Sequence, residues 1–437
     1  MQQRFVKYGQ TLFIGSFAVA VAFGTLALMV PGIYQGEEEF RWYDCLFTAT
    51  SSVCVTGLTV VPVEKFSFAG QFILLVLLQI GGIGIMTLSS ALLLLLGGGL
   101  SFSDSLLVSN LNDKFSLRGA SALIRISILY SFISEGIGVL LILPGVILSG
   151  GYPWWRMLWN AFFLSVSSFC NAGLAPLPNS LEGQHALTKI GCCFLIVLGG
   201  LGIYVIYDIM EFLRKRRRSL QVHTKVVLFS TTVLLAGGAV LLWSFGSLYG
   251  QSLDPLDALF TSATCRTAGF TCIEVASLPA ASLALIVILM MIGGAPGSTA
   301  GGIKTSTIAV AAAAIWNTLK GNQETLLFRR RIPNVIVLRA FTIIVLFSLL
   351  ACLGAVVLPL LSSKPTISEN VFEVVSALCT VGMSIGKTTA NQSMWGKLLL
   401  TAFMFIGRIG PLTFLLFLLD RERPSQLQHP EERVIVG

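Results

Sequence analysis

Four segments of the sequence share one arrangement of residues: a phenylalanine, a stretch rich in Ser and Thr, then a glycine and a large apolar residue. They are segments 47–58, 163–174, 260–270 and 372–383, and the third is one residue shorter than the others. Glycine tolerates positive φ, so a glycine at a fixed place lets the backbone turn its carbonyl oxygens to one side. Carbonyl oxygens arranged in a ring replace the hydration shell of a cation. The repeated arrangement therefore predicts a cation-selective filter made of four loops.

The filter prediction assigns three consecutive residues in each loop, ending at the glycine. The side chains of these residues include no carboxylate, so we expect backbone oxygens, rather than a charged ring, to select the ion. The assigned residues are Val55, Thr56 and Gly57, then Asn171, Ala172 and Gly173, then Thr267, Ala268 and Gly269, and finally Thr380, Val381 and Gly382.

The composition of the chain indicates a membrane protein. Of 437 residues, 54% are hydrophobic and only 11% are charged, and the mean hydropathy is +0.83. Soluble domains carry about 25% charged residues, which excludes a soluble protein. The nine cysteines are scattered without metal-ligand spacing, so we interpret them as small packing residues.

Two other classes of membrane protein fit the sequence less well. His185, His223 and His429 form no motif with carboxylates or cysteines, and the glycine-rich stretch 293–302 lacks the spacing of a phosphate-binding loop, so we do not expect an enzyme. Broken helices also suit an ion-coupled carrier with alternating access. Such carriers, however, are built from inverted repeats of whole bundles rather than from four serial loops.

Eight apolar runs are long enough to cross about 30 Å of hydrocarbon. They lie near 11–33, 66–96, 122–148, 186–213, 223–248, 280–318, 335–361 and 395–419. Each successive pair encloses a shorter apolar stretch, near 42–53, 157–168, 255–265 and 369–379, which as a helix would reach only about 18 Å. We therefore predict an all-α membrane protein with eight transmembrane helices, four re-entrant pore half-helices and a fourfold pseudo-repeat around one pore. The predicted units are repeats 1–97, 98–218, 219–320 and 321–420, followed by a C-terminal tail, 421–437.

The basic residues predict the orientation of the chain. With the four loops outside, nineteen of the 29 lysines and arginines fall on the cytoplasmic side and seven outside. This imbalance follows the positive-inside rule and places both termini in the cytoplasm. We interpret the basic run 214–218 as a topology anchor rather than a nucleic-acid patch.

A second regularity concerns glycine clusters that follow each filter glycine by 24–26 residues. In the first two repeats, at 81–84 and 199–202, we interpret them as close helix packing. The third cluster cannot stay helical, because five glycines and a proline fall within ten residues. We expect an unwound intramembrane loop, 293–304, that lines the permeation path and acts as a gate. The gate residues assigned are Gly293, Gly294, Gly297, Gly301, Gly302, Lys304 and Arg408.

Two charged residues at this depth have different expected roles. Arg408 follows the fourth filter glycine at the same distance as the loop follows the third, and its guanidinium suits a tether to the loop carbonyls. For Lys304 two interpretations stay open: an electrostatic barrier facing the pore, or a side chain that reaches the cytoplasmic interface. Glu135 lies in the middle of a predicted span, where we expect an internal hydrogen bond and assign no further role.

The filter motifs TATSSVCVTGL, SSFCNAGL, TCRTAGF and CTVGMS resemble the four filter loops of the Trk/Ktr/HKT potassium transporter superfamily. The resemblance covers essentially the whole chain and is closest to the Ktr-type membrane subunits. Glycine at all four positions then implies a preference for potassium ions, bound by backbone carbonyls. The resemblance also implies that loop 293–304 is the gating loop and that Arg266, within the third motif, braces the filter from behind.

The same resemblance implies partners and a location. It predicts a homodimer in the bacterial inner (cytoplasmic) membrane, surrounded by lipid, on a ring of cytoplasmic regulatory subunits that carry the nucleotide. The basic loops 214–225 and 320–331 are the expected docking surfaces, and the apolar end of the tail is expected to pack into the neighbouring protomer. No nucleic acid is expected as a partner. Whether sodium ions couple to the flux, and which nucleotide regulates it, stay open.

Overall fold

A computed structural model describes residues 2–37, 39–95, 117–215, 218–250, 253–361, 366–386 and 389–418. The tail 421–437 and most of the linker at the start of the predicted second repeat lie outside these residues. The described chain is helical apart from one short hairpin. The helices are α1 (Gln2–Leu28), α2 (Trp42–Val53), α3 (Phe68–Leu95), α4 (Leu117–Ser149), α5 (Trp154–Cys170), α6 (Ala186–Leu201), α7 (Ile203–Leu213), α8 (Val222–Leu248), α9 (Pro255–Thr264), α10 (Ala280–Met291), α11 (Thr305–Leu319), α12 (Asn334–Leu361), α13 (Ile367–Leu378), α14 (Met394–Ile409) and α15 (Pro411–Leu418).

Each of the eight predicted apolar runs lies on one helix or on two consecutive helices. Judged by length and composition alone, three helices of the described chain are able to cross a membrane: α4, α8 and α12. The pair α6 and α7, bent by 92°, adds a fourth when counted as one span. The number of spans therefore stays a prediction.

The four short helices α2, α5, α9 and α13 match the predicted half-helices, and local chemistry explains where they begin. Thr366 and Glu369 form a capping box at the start of α13, in which the Thr366 N–H donates to the Glu369 carboxylate at 2.9 Å. Helix α9 begins with Pro255, which has no N–H to leave unpaired at a first turn. These starts were readable from the sequence.

Each half-helix is packed into its repeat by a glycine on the preceding long helix. A Cβ on Gly138 would press on Ser165 and Leu195, and one on Gly238 on Ser262 and Leu289. The corresponding glycines of the first and fourth repeats are Gly24, against Ala49 and Leu77, and Gly354, against Val374 and Phe403. The residue of the half-helix that each glycine contacts is always the second after the shared phenylalanine. Because the glycine has no side chain, three helices can pack closely together at this equivalent place.

Buried ion pairs join one repeat to the next. The Lys397 ammonium on α14 lies 2.8 Å from Asp44 on α2, and the side chains are 9% and 5% exposed. The Lys189 ammonium on α6 lies 2.5 Å from Asp257 on α9. Our orientation count placed both lysines on the outer side; the structure shows that both lie in the first turns of helices and are buried, which the count did not anticipate. Between α3 and α5, the Trp159 indole N–H donates to Gln71 Oε1 at 2.7 Å instead.

Two features depart from the sequence expectations. Gly202 adopts φ +81 and separates α6 from α7, and Gly410, with φ +92, separates α14 from α15, so the second cluster does more than pack. Gly81 and Gly199 do pack as expected, since a Cβ on either would collide with a carbonyl at the end of a half-helix. The chain is also not purely α: strands β1 (Thr325–Leu327) and β2 (Arg330–Ile332) pair antiparallel within the predicted basic loop 320–331.

Candidate functional site

The predicted filter residues repeat one unusual backbone conformation four times. The glycines Gly57, Gly173, Gly269 and Gly382 have φ of +96°, +69°, +74° and +95°. Two positions earlier, Val55, Asn171, Thr267 and Thr380 also have positive φ, at +53°, +58°, +78° and +50°. Positive φ is rare for residues with a side chain and for Val and Thr costs on the order of 1–3 kcal/mol each. Such strain at four equivalent places is typical of a functional site, where the surrounding structure maintains an unfavourable backbone conformation.

The four glycines meet in a closed ring that follows the order of the chain. A Cβ atom added to any of the four glycines would lie close to the Cα atom of the next glycine in the ring. The distances are 3.3 Å from Gly57 to Gly173, 3.1 Å from Gly173 to Gly269, 3.0 Å from Gly269 to Gly382 and 2.9 Å from Gly382 to Gly57. Each added Cβ would also collide with the carbonyl oxygen that precedes the neighbouring glycine: those of Ala172, Ala268, Val381 and Thr56. Glycine is therefore required at all four places, both by φ and by space.

Polar groups from the half-helices hold the ring from behind. The Gly57 N–H donates to Ser51 Oγ at 3.0 Å, and the Gly382 N–H donates to Ser376 Oγ at 3.1 Å. Among the described residues, the buried hydroxyls of Thr56, Thr267 and Thr380 have no hydrogen-bond partner. Unpaired buried oxygens are uncommon and call for an explanation, such as a ligand that they contact.

Four of the nine cysteines, which we had interpreted as scattered, mark the ends of the four half-helices. Cys54, Cys170, Cys265 and Cys379 are all buried at the last helical residue or the one after it. No group of His, Cys, Asp and Glu in the described chain is able to hold a metal ion. The places of these four buried thiols follow the four half-helices, a regularity that the sequence analysis did not use.

The predicted gate is an irregular loop between α10 and α11, and it contacts two helices of the second repeat. Its ends are joined where Ile292 and Ile303 form a bridge. The Ala295 N–H donates to the Gly200 carbonyl at 2.8 Å, and the Ile203 N–H donates to the Gly297 carbonyl at 3.2 Å. The break at Gly202 thus leaves the Gly200 carbonyl and the Ile203 N–H without partners in their own helices, and the loop supplies a hydrogen bond to each.

Thr299, which the sequence did not single out, is the most connected residue of the loop. Its N–H donates to the Gly199 carbonyl at 3.2 Å and its hydroxyl to the Phe169 carbonyl at 3.0 Å. The side-chain amide of the filter residue Asn171 lies 3.2 Å from the same hydroxyl, so Asn171 links the second filter loop to the gate. Asn also tolerates the positive φ that this place requires.

Arg408 joins the loop to the first repeat. Its Nη1 donates to the Thr299 carbonyl at 2.6 Å, and its Nη2 donates to the Gly81 carbonyl at 3.1 Å on α3. The residue is 6% exposed, and Nε has no partner in the described chain. A guanidinium shared between a loop and a neighbouring helix acts as a fork-shaped tether.

Lys304 and Arg266 both donate hydrogen bonds to carbonyls of the loop. The Lys304 ammonium turns back over its own loop and donates to the Ala300 carbonyl at 2.5 Å, and both interpretations of this lysine stay open. Arg266 Nη2 donates to the Gly293 carbonyl at 3.3 Å. Arg266 thus contacts the first residue of the loop, and its expected role as a brace behind the filter stays a prediction.

Comparisons with known proteins identify the relatives of this chain. A family model described as TrkH, cation transport protein, matches residues 11–426. The Ktr system potassium uptake protein B of Vibrio alginolyticus is 36% identical over 407 residues, which cover 90% of this chain and 88% of the relative. The protein of the same name from Bacillus subtilis is 32% identical and covers 98% and 96%. The potassium/sodium uptake protein NtpJ of Enterococcus hirae is 33% identical, also covering 98% and 96%.

The fold has a counterpart among solved structures. The potassium transporter TrkH from Vibrio parahaemolyticus superposes with a TM-score of 0.74 over 94% of this chain and 85% of that chain, at 18% identity. At this identity the match shows a shared fold. With a family match over nearly the whole length and relatives above 30% identity, the chain belongs to the TrkH family of cation transport proteins.

Proposed function

We propose that this chain is the ion-conducting subunit of a Ktr-type potassium uptake system, and that potassium ions cross through the ring of filter loops. The closed ring of Gly57, Gly173, Gly269 and Gly382 is the observation that carries the proposal. The names of the relatives, which are potassium uptake proteins, support the choice of ion. The ion would leave its hydration shell for backbone carbonyls, and the unpaired threonine hydroxyls add further oxygens.

The gate of this path is loop 293–304, closed by Arg408. Irregular backbone at membrane depth is tolerated only where it is packed in protein or lines a water-filled path. The contact of Asn171 with Thr299 supports a position of the loop beneath the filter. Each hydrogen bond that fixes the loop to its neighbours therefore favours a closed path.

The surrounding architecture follows from the same proposal. The four repeats span 1–97, 98–218, 219–320 and 321–420 and place eight spans around one pore, with both termini in the cytoplasm of a bacterium. The subunit works as a homodimer and docks a ring of nucleotide-binding regulatory subunits. The exposed basic hairpin Thr325–Ile332 supports this docking surface, and two relatives are named as the B protein of a multi-part system.

Potassium uptake in a bacterial host that lacks its own uptake systems tests the proposal. We expect growth at low potassium, measured with and without sodium, because one relative is named for both ions. Gly57→Ser should lower the ratio of potassium to sodium uptake, since its side chain would enter the ring beside Gly173. Gly32→Ser is the matched control, because Gly32 also has positive φ, +86°, but has nothing within 4 Å of its Cβ position. Failure to restore uptake, or equal ratios in both variants, contradicts the filter assignment.

A further inference from the structure

A buried carboxyl group lies behind the fourth filter loop and has no role so far. Glu373 follows the shared phenylalanine of α13 and is 0% exposed. The equivalent residues of the other half-helices are Thr48, Leu164 and Thr261, so only the fourth repeat carries a charge at this place. A carboxyl group in an apolar interior is unfavourable unless hydrogen bonds compensate its lost hydration. Its retention in the half-helix next to the filter needs a reason.

Both oxygens of this carboxyl group receive hydrogen bonds from the chain that follows the filter. The Ser384 hydroxyl donates to Oε1, and the Thr389 hydroxyl donates to Oε2 at 2.8 Å. The two hydroxyl oxygens are 3.2 Å apart, which closes a three-membered network. Ser384 stands two residues after the filter glycine Gly382, so the network holds the outer end of that loop.

The third filter loop is held at the same position by a different means. Thr271, two residues after Gly269, donates its N–H to Ser180 Oγ at 3.2 Å and accepts the Leu181 N–H at 2.9 Å. These partners come from the loop of the preceding repeat. The fourth loop has instead a carboxyl acceptor within its own half-helix. The second residue after the glycine is thus an anchoring point in both repeats.

We propose that Glu373 is a positioning residue for ion selectivity: through Ser384 and Thr389 it fixes the outer end of the fourth filter loop. The inference rests on the proposed function of the ring. Gly382 has φ +95° and lies against both Gly57 and Gly269, so its carbonyl faces the ion only while the following residues hold the chain in place. Release of Ser384 lets this quarter of the ring relax, and a looser ring discriminates less between cations.

The test measures potassium and sodium uptake by purified protein in liposomes. Glu373→Ala should lower the potassium-to-sodium ratio about tenfold or more, because it removes the hydrogen bonds of both Ser384 and Thr389 to the carboxyl group. Glu373→Gln should keep most of the ratio, because its oxygen accepts from one hydroxyl and its amide nitrogen donates to the other. Glu369→Gln is the matched control: Glu369 lies one turn earlier on the same helix, and in the described chain its carboxylate accepts the Thr366 N–H at the helix start, a bond that Gln can also accept. It should leave the ratio unchanged.

A double-mutant cycle separates positioning from a general structural role. Ser384→Ala should lower the ratio on its own and add nothing to Glu373→Ala, because both remove the same bond. An unchanged ratio and KM in Glu373→Ala, or an equal loss of potassium and sodium uptake with the ratio kept, overturns the inference. If Glu373→Ala does not fold, Ser384→Ala and Thr389→Val decide, and unchanged ratios in both overturn it equally.

The proposed function fails separately. If the unmodified protein takes up no potassium, or if Gly57→Ser leaves the ratio unchanged, the filter itself is wrongly assigned. If Gly57→Ser lowers the ratio while the Glu373 and Ser384 variants do not, only the positioning role is lost.

Discussion

Removal of the Arg408 tether should open the permeation path. Of its two hydrogen bonds, the one to the Thr299 carbonyl holds the loop, and the one to Gly81 holds the arginine itself to α3. A hydrogen bond from a charged donor contributes about 1.5–3 kcal/mol, so its loss shifts the closed-to-open equilibrium of the loop about 10- to 150-fold. Arg408→Ala should therefore raise potassium flux through the isolated subunit by about tenfold or more, up to the limit of a fully open path.

The assay is rubidium uptake into liposomes that contain the purified subunit alone. Arg408→Lys should fall between the wild type and Arg408→Ala, because one ammonium can bond to one carbonyl but cannot span both. Arg331→Ala is the matched control, since Arg331 is an exposed arginine paired with Glu324 on the surface. It removes a positive charge without touching the loop and should leave the flux unchanged.

One result would refute this reasoning. If both Arg408 variants lose flux while their melting temperature and elution profile match the wild type, the loop is not a barrier. Arg408 would then support the conducting state. A loss of flux together with a lower melting temperature would instead mean that the unpaired Gly81 and Thr299 carbonyls destabilise the fold; Arg408→Lys, which keeps one donor, then decides.

Three further predictions concern other contacts. Gly297→Ala should detach the loop from α7, because the added Cβ would lie 2.7 Å from the ring of Tyr204, and the potassium flux should rise. The control is Gly321→Ala, which should leave the flux unchanged, because Gly321 has a similar positive φ but no atom within 4 Å of its Cβ position. Lys189→Met should lower the stability by about 1–3 kcal/mol, because it leaves the half-buried Asp257 without its counter-charge, and Asp257→Leu in the same chain should restore the melting temperature. Removal of residues 434–437, which lie outside the described chain, should shift the dimer toward monomer in detergent; an unchanged dimer would end the proposed role of the tail.

The sequence predicted the half-helices and the interruption of the apolar run 280–318 because local chemistry decides them. The bounds of α2, Trp42–Val53, are those of the predicted stretch 42–53. The glycine and proline content of 293–302 excludes a helix in any surrounding. The filter glycines were predictable for the same reason, since positive φ is a property that glycine carries in its own backbone.

Other features depend on partners far along the chain, which the sequence does not identify. The cluster 199–202 resembles 81–84, yet α3 continues through its glycines whereas α6 ends before Gly202. The difference comes from loop 293–304, whose Gly297 carbonyl accepts the Ile203 N–H and so stabilises the break. Lys189 and Lys397 likewise find their carboxylates 68 and 353 residues away. Without these partners, the sequence gives no indication that the two lysines are paired.

The ion pairs and the contacts of loop 293–304 lie at opposite ends of the half-helices, and this separation bears on how the proposed gate opens. The ion pair of Lys397 with Asp44 lies at the starts of α14 and α2, and that of Lys189 with Asp257 near the starts of α6 and α9. The loop is held instead near the ends of the half-helices, through the Phe169 carbonyl and Arg408. Displacement of the loop therefore leaves both ion pairs intact, but it breaks the contact of Asn171 with Thr299, so we expect the second filter loop to respond to opening. Thr299 of the loop bonds both to the Phe169 carbonyl and to Arg408. Because these bonds share one residue, they must break together, so opening is expected to be cooperative rather than gradual.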